Sequence, residues 1–217
     1  MKLGIVSVTL NAVNPLVQFL HSEHGEIEYL NYLDSGLIER VNRDKSISDT
    51  SMERMKTLIR NAKSDGVDGV LLTCTVFSPY VEDFSAEIGI PVIAADRAMI
   101  ELALDSGRKT AILYTFPSTR TSTLSLIQNV ETSRGEKLDH ELVFVENAFE
   151  ALQKGSHDLH DRLIADKVST LHESFGLIVL AQISMIGATK LIERDTPVLT
   201  SPSSALSALR IRLKAKE

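Results

Sequence analysis

The chain has one cysteine in 217 residues, Cys74, so no intramolecular disulfide framework can hold it together. That usage predicts a reducing, cytoplasmic setting. No apolar run approaches the roughly 18 residues that a membrane span needs. The opening Met1-Lys2-Leu3-Gly4-Ile5-Val6 has the look of a signal segment, but Asn11, Asn14 and Gln18 interrupt the apolar stretch and no cleavage signature appears. It reads as a first strand. Acidic residues outnumber basic ones, 29 to 23: the net charge is −6 and no Lys/Arg cluster offsets it, which argues against a nucleic-acid partner. Gly-x-Gly-x-x-Gly, Gly-x-x-x-x-Gly-Lys, His-Glu-x-x-His and Gly-x-Ser-x-Gly are all missing, so nucleotide-binding, metalloprotease and serine-hydrolase chemistry has no motif support. None of these absences excludes a small anionic substrate, because backbone N–H groups and hydroxyls can hold a carboxylate.

What is present is the material of a soluble domain, 43% hydrophobic and 24% charged, enough for one large domain or two small lobes. Leu3–Val8 and Ile27–Tyr32 read as strands, with a helix over Val13–Ser22 between them and a helical pattern around Leu37–Val41 after them. Met52, Met55, Leu58, Ile59 and Ala62 fall on one helical face, which Ser64-Asp65-Gly66 ends. Gly69–Thr73 is an apolar strand running into Thr73-Cys74-Thr75, and a helix carrying Val81, Phe84 and Ile88 follows. A short strand over Gly89–Ile93 closes this half. The second half repeats the scheme. Strands are expected at Lys109–Thr115, Leu142–Val145, Gly176–Ala181 and Pro197–Leu199, with helices over Thr121–Thr132, from Ala148 to Glu173, after Gln182, and over Pro202–Lys214.

The halves can be laid on one another. Lys2 aligns with Lys109 at an offset of 107, Val70 with Ile178 at 108, and Pro91 with Pro197 at 106. Three strand ends in one order at nearly one offset predict an α/β fold of two pseudo-symmetric lobes, each a small parallel sheet flanked by helices. The first lobe is expected to take residues 1–95 plus 200–217 and the second 96–199. In this scheme Cys74 and Gln182 are symmetry mates at the carboxyl edges of their sheets, where α/β proteins place their sites.

A thiol at a strand end that meets the start of a helix is held toward its reactive thiolate. Thr73 and Thr75 can add hydroxyl hydrogen bonds to it. The competing account is a small buried Cys that fills space, which is common for this residue. Ser7, Thr9 and Asn11 after the first strand, and Thr115, Ser118 and Thr119 after its counterpart, put hydroxyls and N–H groups ahead of a helix. They suit a carboxylate or an enediolate, or serve only as helix caps. The pairs His21/His24 and His157/His160 are spaced for a metal on one helix face, but no third ligand is evident and a polar surface helix explains them.

Across most of its length the sequence resembles the aspartate/glutamate racemase superfamily, which includes hydantoin racemases, maleate isomerases and arylmalonate decarboxylases. The resemblance rests on Leu72-Thr73-Cys74-Thr75, Tyr114-Thr115-Phe116-Pro117-Ser118-Thr119, Leu180-Ala181-Gln182-Ile183-Ser184-Met185 and Pro197-Val198-Leu199-Thr200-Ser201-Pro202. It implies an active site between the lobes, no metal or other cofactor, a small carboxylate substrate and a homodimer. It makes Cys74 the catalytic thiol of the first lobe and Ser7, Thr9 and Asn11 its substrate loop. Thr115, Ser118 and Thr119 become the second-lobe carboxylate loop, and Thr75 and Ile183 supply lining N–H groups. Racemases of this family use two cysteines, one per lobe. Gln182 stands in the second place, and an amide does not titrate in the useful range, so it is expected to orient substrate rather than react. Three functions remain open: a racemase-like isomerase using Cys74 as acid/base or nucleophile, a one-cysteine decarboxylase, and a non-catalytic carboxylate-binding protein.

Overall fold

The computed structural model describes residues 1–192 and 197–214, with the side chains of Asn11, Glu23 and Ser118 left out. The chain divides into two compact units, one of Met1–Ala95 with the segment from Ala205 onward, the other of Asp96–Ser204. Among the described residues no helix is long and apolar enough to cross a membrane.

The first unit holds strands β1 (Lys2–Ser7), β2 (Glu28–Leu33), β3 (Gly69–Leu72) and β4 (Val92–Ala94), all parallel, in the order β2-β1-β3-β4. Helices α1 (Leu10–Glu23), α2 (Ser35–Asp44), α3 (Asp49–Ser64) and α4 (Val81–Ile88) connect them. The apolar face expected on α3 packs as its spacing requires: Met55, Ile59 and Ala62 are fully buried, with Met52 and Leu58 at the margin of the same cluster. Ser48 caps its start by accepting from Ser51 N, and Gly66 turns the chain at its end with φ +72°. β3 is buried along its whole length, the mark of a central strand covered on both faces. Gly69 opens it for a steric reason. A Cβ there would lie 2.5 Å from Leu209 Cδ1 of α9 (Ser201–Lys214), so the missing side chain lets that helix sit against the sheet.

The second unit repeats the plan. Strands β5 (Thr110–Tyr114), β6 (His140–Phe144), β7 (Leu177–Leu180) and β8 (Val198–Thr200) form a parallel sheet in the order β6-β5-β7-β8. Its helices are α5 (Ala95–Asp105), α6 (Pro117–Arg134), α7 (Ala148–Gln153) and α8 (His157–Ser169), with α9 following β8. Alternate strand residues feed two cores: Ala111, Leu113, Ile178 and Leu180 on one face, Ile112, Leu177 and Val179 on the other.

The internal repeat extends to hydrogen-bond register. Leu3 pairs with Gly69 in the first sheet and Thr110 with Leu177 in the second, matching offsets of 107 and 108. Thr73 N donates to Val6 O at 3.1 Å, and its counterpart Ala181 N donates to Leu113 O at 3.0 Å.

Two expectations need correction. The helix expected directly after Cys74 is instead a six-residue 3-10 helix, Thr75–Tyr80, before α4 begins. Pro79 has no N–H to give to Thr75 O, so an α-helical turn cannot close there. The helix after Gln182 is likewise a 3-10 helix, Ile183–Leu191. The helical patterns expected from Ala148 to Glu173 are α7 and α8, separated around Gly155, whose φ is +76°. One element had not been anticipated, α5, which buries Met99, Ile100, Ala103 and Leu104.

Tyr32 on β2 donates to Asp65 Oδ2 at 2.7 Å, and burial together with that carboxylate pushes its phenol up to about 12. A raised folded-state value means stability that is present below the unfolded phenol's ordinary ~10 and is lost as pH climbs toward 12. Urea unfolding at pH 9.5 and 11.5 is expected to show a larger loss in the wild type than in Tyr32→Phe. Equal losses would mean that the Asp65 contact is not kept in solution.

Candidate active site

The carboxyl edge of the first sheet is tied together by hydroxyls. Thr73 Oγ1 donates to Ser7 Oγ at 2.9 Å, joining the end of β3 to the end of β1. Ser7 is buried and Thr73 half-buried. Cys74 follows in extended geometry (φ −104°, ψ 111°) and is only 6% exposed. Its carbonyl accepts from Phe77 N at 3.2 Å and Ser78 Oγ at 3.4 Å, so the Thr75 and Val76 amides precede the first helical bond. Six 3-10 residues carry less aligned dipole than the α-helix expected there, so the field at Cys74 is weaker than an α-helix would supply. Thr9 stands at the N-terminal boundary of α1, yet its side chain makes no capping bond. Capping therefore does not explain that hydroxyl.

In the second unit Gln182 has the backbone role of Cys74. It is extended (φ −124°, ψ 140°), and Met185 N donates to its carbonyl at 3.0 Å. Its side chain is fastened. Gln182 Oε1 accepts from Thr115 N at 2.7 Å and from Thr115 Oγ1 at 3.0 Å. A backbone N–H can only donate, so the atom facing Thr115 is the amide oxygen, and the NH₂ group is what Gln182 has left to offer. Thr115 is 1% exposed and both its donors go to Gln182. The corresponding link in the first unit lies one residue earlier, at Thr73 and Ser7, and the counterpart of Thr115 is Val8, which has no hydroxyl. Thr119 and Ile183 are half-buried at the starts of α6 and of the second 3-10 helix. Thr75 is half-buried at the start of the first. The side chains expected to act at Asn11 and Ser118 lie outside the described residues.

Truncating Gln182 to alanine would leave a buried N–H and a buried hydroxyl without an acceptor, a cost of about 1–3 kcal/mol. Gln182→Glu keeps an acceptor and is expected to recover most of it. Chemical denaturation of the three proteins tests this, and wild-type stability in Gln182→Ala would show that the fastening does not persist.

The sequence reading missed two features. Tyr114 and Phe144 pair across β5 and β6 with ring centroids 5.3 Å apart, and Phe116 stacks on Phe149 of α7 at 4.4 Å. The i, i+2 spacing of Tyr114 and Phe116 was the available signal. The other is His160, expected on a polar surface but 1% exposed, its Nδ1 2.8 Å from Asp161 Oδ1. His21 bonds Tyr29 Oη at 2.8 Å and His24 sits 3.8 Å from Glu26.

No known protein family and no curated protein sequence matches the chain. Solved structures do. Allantoin racemase from Klebsiella pneumoniae superposes with a TM-score of 0.71 at 16% identity, covering 100% of this chain and 89% of that one. An aspartate racemase homologue from Pyrococcus horikoshii OT3 gives 0.68 at 15% identity, covering 98% and 99%. Unliganded arylmalonate decarboxylase gives 0.63 at 12% identity, covering 98% and 92%. Two parallel four-stranded sheets in matching order, repeated in register along one chain, are thus a fold that this chain shares with these racemase and decarboxylase structures.

Proposed function

We propose that the protein is a cofactor-independent, racemase-like isomerase that moves the proton on the carbon next to a carboxylate, with Cys74 as the acid/base. The observation that carries this is the position of the thiol. It lies two residues past the end of β3, one of the two inner strands of its sheet, next to Thr73 of the Ser7–Thr73 hydroxyl pair and ahead of two N–H groups. In the forward step the Cys74 thiolate takes the Cα proton, and the electron pair moves into the carboxyl group as an enediolate. The unused Thr9 hydroxyl and the helix N-terminus of α1, in the same unit as Cys74, suit that negative charge. Within the second unit Thr115 spends its donors on Gln182, which leaves Thr119 and the α6 amides as that unit's own carboxylate donors. Gln182 offers its NH₂ as a positioning donor and carries no proton in the reaction.

One thiol has a kinetic consequence. The thiol that receives the Cα proton exchanges it with solvent and returns it to the face it came from, while inversion needs a proton from the other face. In D₂O, deuterium is therefore expected to enter Cα of amino acids or hydantoins faster than optical purity is lost. Equal rates would point to a second proton carrier. No exchange with any substrate, alongside tight carboxylate binding, would favour a binding protein. The single cysteine also favours one other reading, a decarboxylase in which loss of CO₂ leaves the same enediolate and the Cys74 thiol protonates it. Release of CO₂ from malonates decides between the two.

A further inference from the structure

We propose that the second unit carries an aryl-binding platform at its strand ends, so that the preferred ligand is a monocarboxylate bearing an aromatic or arylalkyl group rather than a dicarboxylic acid. This rests on the proposed carboxylate chemistry and names its substrate class.

The argument begins with where the aromatic residues are. The chain has seven Phe and four Tyr, and four of these eleven meet around the carboxyl ends of β5 and β6 as the two ring pairs Tyr114–Phe144 and Phe116–Phe149. Phe116 and Phe144 are 39% and 37% exposed, whereas most large apolar side chains of this unit are buried. Ring faces left open beside a strand edge offer stacking area at little entropic cost. Thr115 lies between Tyr114 and Phe116 in the chain and holds Gln182, so a polar donor and the rings occur at the same edge.

The internal repeat supplies a control. At the matching places the first unit has Ser7 for Tyr114 and Thr9 for Phe116, both at an offset of 107, and Leu33 for Phe144, which pairs with Ser7 as Phe144 pairs with Tyr114. The same backbone is therefore built without these rings in the other unit, and folding alone does not require them. Charge points the same way. At the strand ends of this unit, Tyr114–Thr119 and Gln182–Met185 contain no Lys, Arg or His. One carboxylate can be held by helix N–H groups, but a second would find no ion-pair partner in these segments and would lose hydration without compensation.

Calorimetric titration of the whole protein with 3-phenylpropanoate, propanoate and succinate tests this directly. The aryl acid is expected to bind at least about tenfold more tightly than propanoate or succinate, the order of one aromatic contact with its buried area. Phe149→Ala is expected to abolish the preference while leaving propanoate binding as it was. Should that variant fail to fold, Phe116→Ala removes an exposed ring and gives the same readout. The proposal is overturned if succinate binds as tightly as the aryl acid, if none of the three binds, or if the preference survives loss of either ring. It is also overturned if sedimentation shows that Phe116→Ala changes the oligomeric state while aryl affinity is unaltered, since the rings would then be a contact between copies. Binding is read without turnover, so aryl preference in a protein that exchanges no Cα proton would remove the proposed reaction and leave the platform standing.

Discussion

Cys74→Ala is expected to lower Cα deuterium incorporation by about 10²- to 10⁴-fold, the usual contribution of a positioned acid/base. Loss of stability does not explain a drop of that size. Cys74 packs in the first unit's core beside Val6, Val8, Leu72 and Phe77, and removing one buried sulfur costs about 1 kcal/mol, a typical single-substitution loss. Under conditions where the wild type is well folded, such a loss leaves the native population nearly unchanged. Activity and stability are therefore expected to separate. Cys74→Ser sharpens the test, because it keeps a small polar side chain of similar shape but replaces a thiol by a hydroxyl that does not ionise near neutral pH. If Cys74 only fills space, both variants keep full exchange and differ from wild type in melting temperature alone. If it is the proton carrier, both lose exchange and the serine variant is no better than alanine. Iodoacetamide gives an independent readout: faster alkylation at neutral pH than for free cysteine is expected once the protein is folded, despite 6% exposure. Full activity in Cys74→Ser would falsify the mechanism for isomerisation and decarboxylation alike.

Much of the architecture around that thiol was legible because the repeat was legible. Offsets of 107, 108 and 106 in sequence became matched strand pairings, since parallel strands buried on both faces tolerate little change in register. The unread parts have specific causes. α5 lies between the last strand of the first half and the restart of the repeat at Lys109, outside the segments the repeat aligns, although Met99/Ala103 and Ile100/Leu104 stand at i, i+4. His160 was assigned to a polar face because its neighbours are His157, Asp158 and Asp161. The stripe that continues from it is apolar, Ile164 and Val168 one and two turns on, and both are fully buried. Gln182 carries an amide, which does not titrate in the useful range, and its attachment to Thr115 joins two strand ends 67 residues apart, so no local pattern encodes it. The aromatic pairs share that property: Phe149 meets Phe116 only after β6 and α7 fold back along β5.

Gly187→Ala should destabilise the protein by about 2–4 kcal/mol, the sum of overpacking and a stranded buried polar group. The sign is informative, because Gly to Ala inside a helix ordinarily stabilises by about 0.5–1 kcal/mol. Here the space is taken. A Cβ at Gly187, in the 3-10 helix that follows Gln182, would overlap Asp161 Oδ2 and lie 2.8 Å from its Cγ and 3.0 Å from Oδ1. That carboxylate is not free to swing away, since its Oδ1 is 2.8 Å from His160 Nδ1. The His160 ring is 1% exposed, and its Nε2 has no hydrogen-bond partner among the described residues. Moving Asp161 would leave both ring nitrogens of a buried imidazole unpaired. The expected fall in melting temperature is about 4–16 °C for a chain of this size. A double-mutant cycle separates the causes. In Asp161→Ala the added methyl meets no carboxylate, so Gly187→Ala in that background should cost little or stabilise, and the two changes should be strongly non-additive. Additive losses would place the cause in the backbone of the 3-10 helix instead. The same variant links packing to the edge of the sheet. The helix that carries Gly187 begins directly after Gln182, so displacing it is expected to weaken carboxylate binding even where the protein remains folded, and unchanged affinity would show that the strand end is held independently of α8.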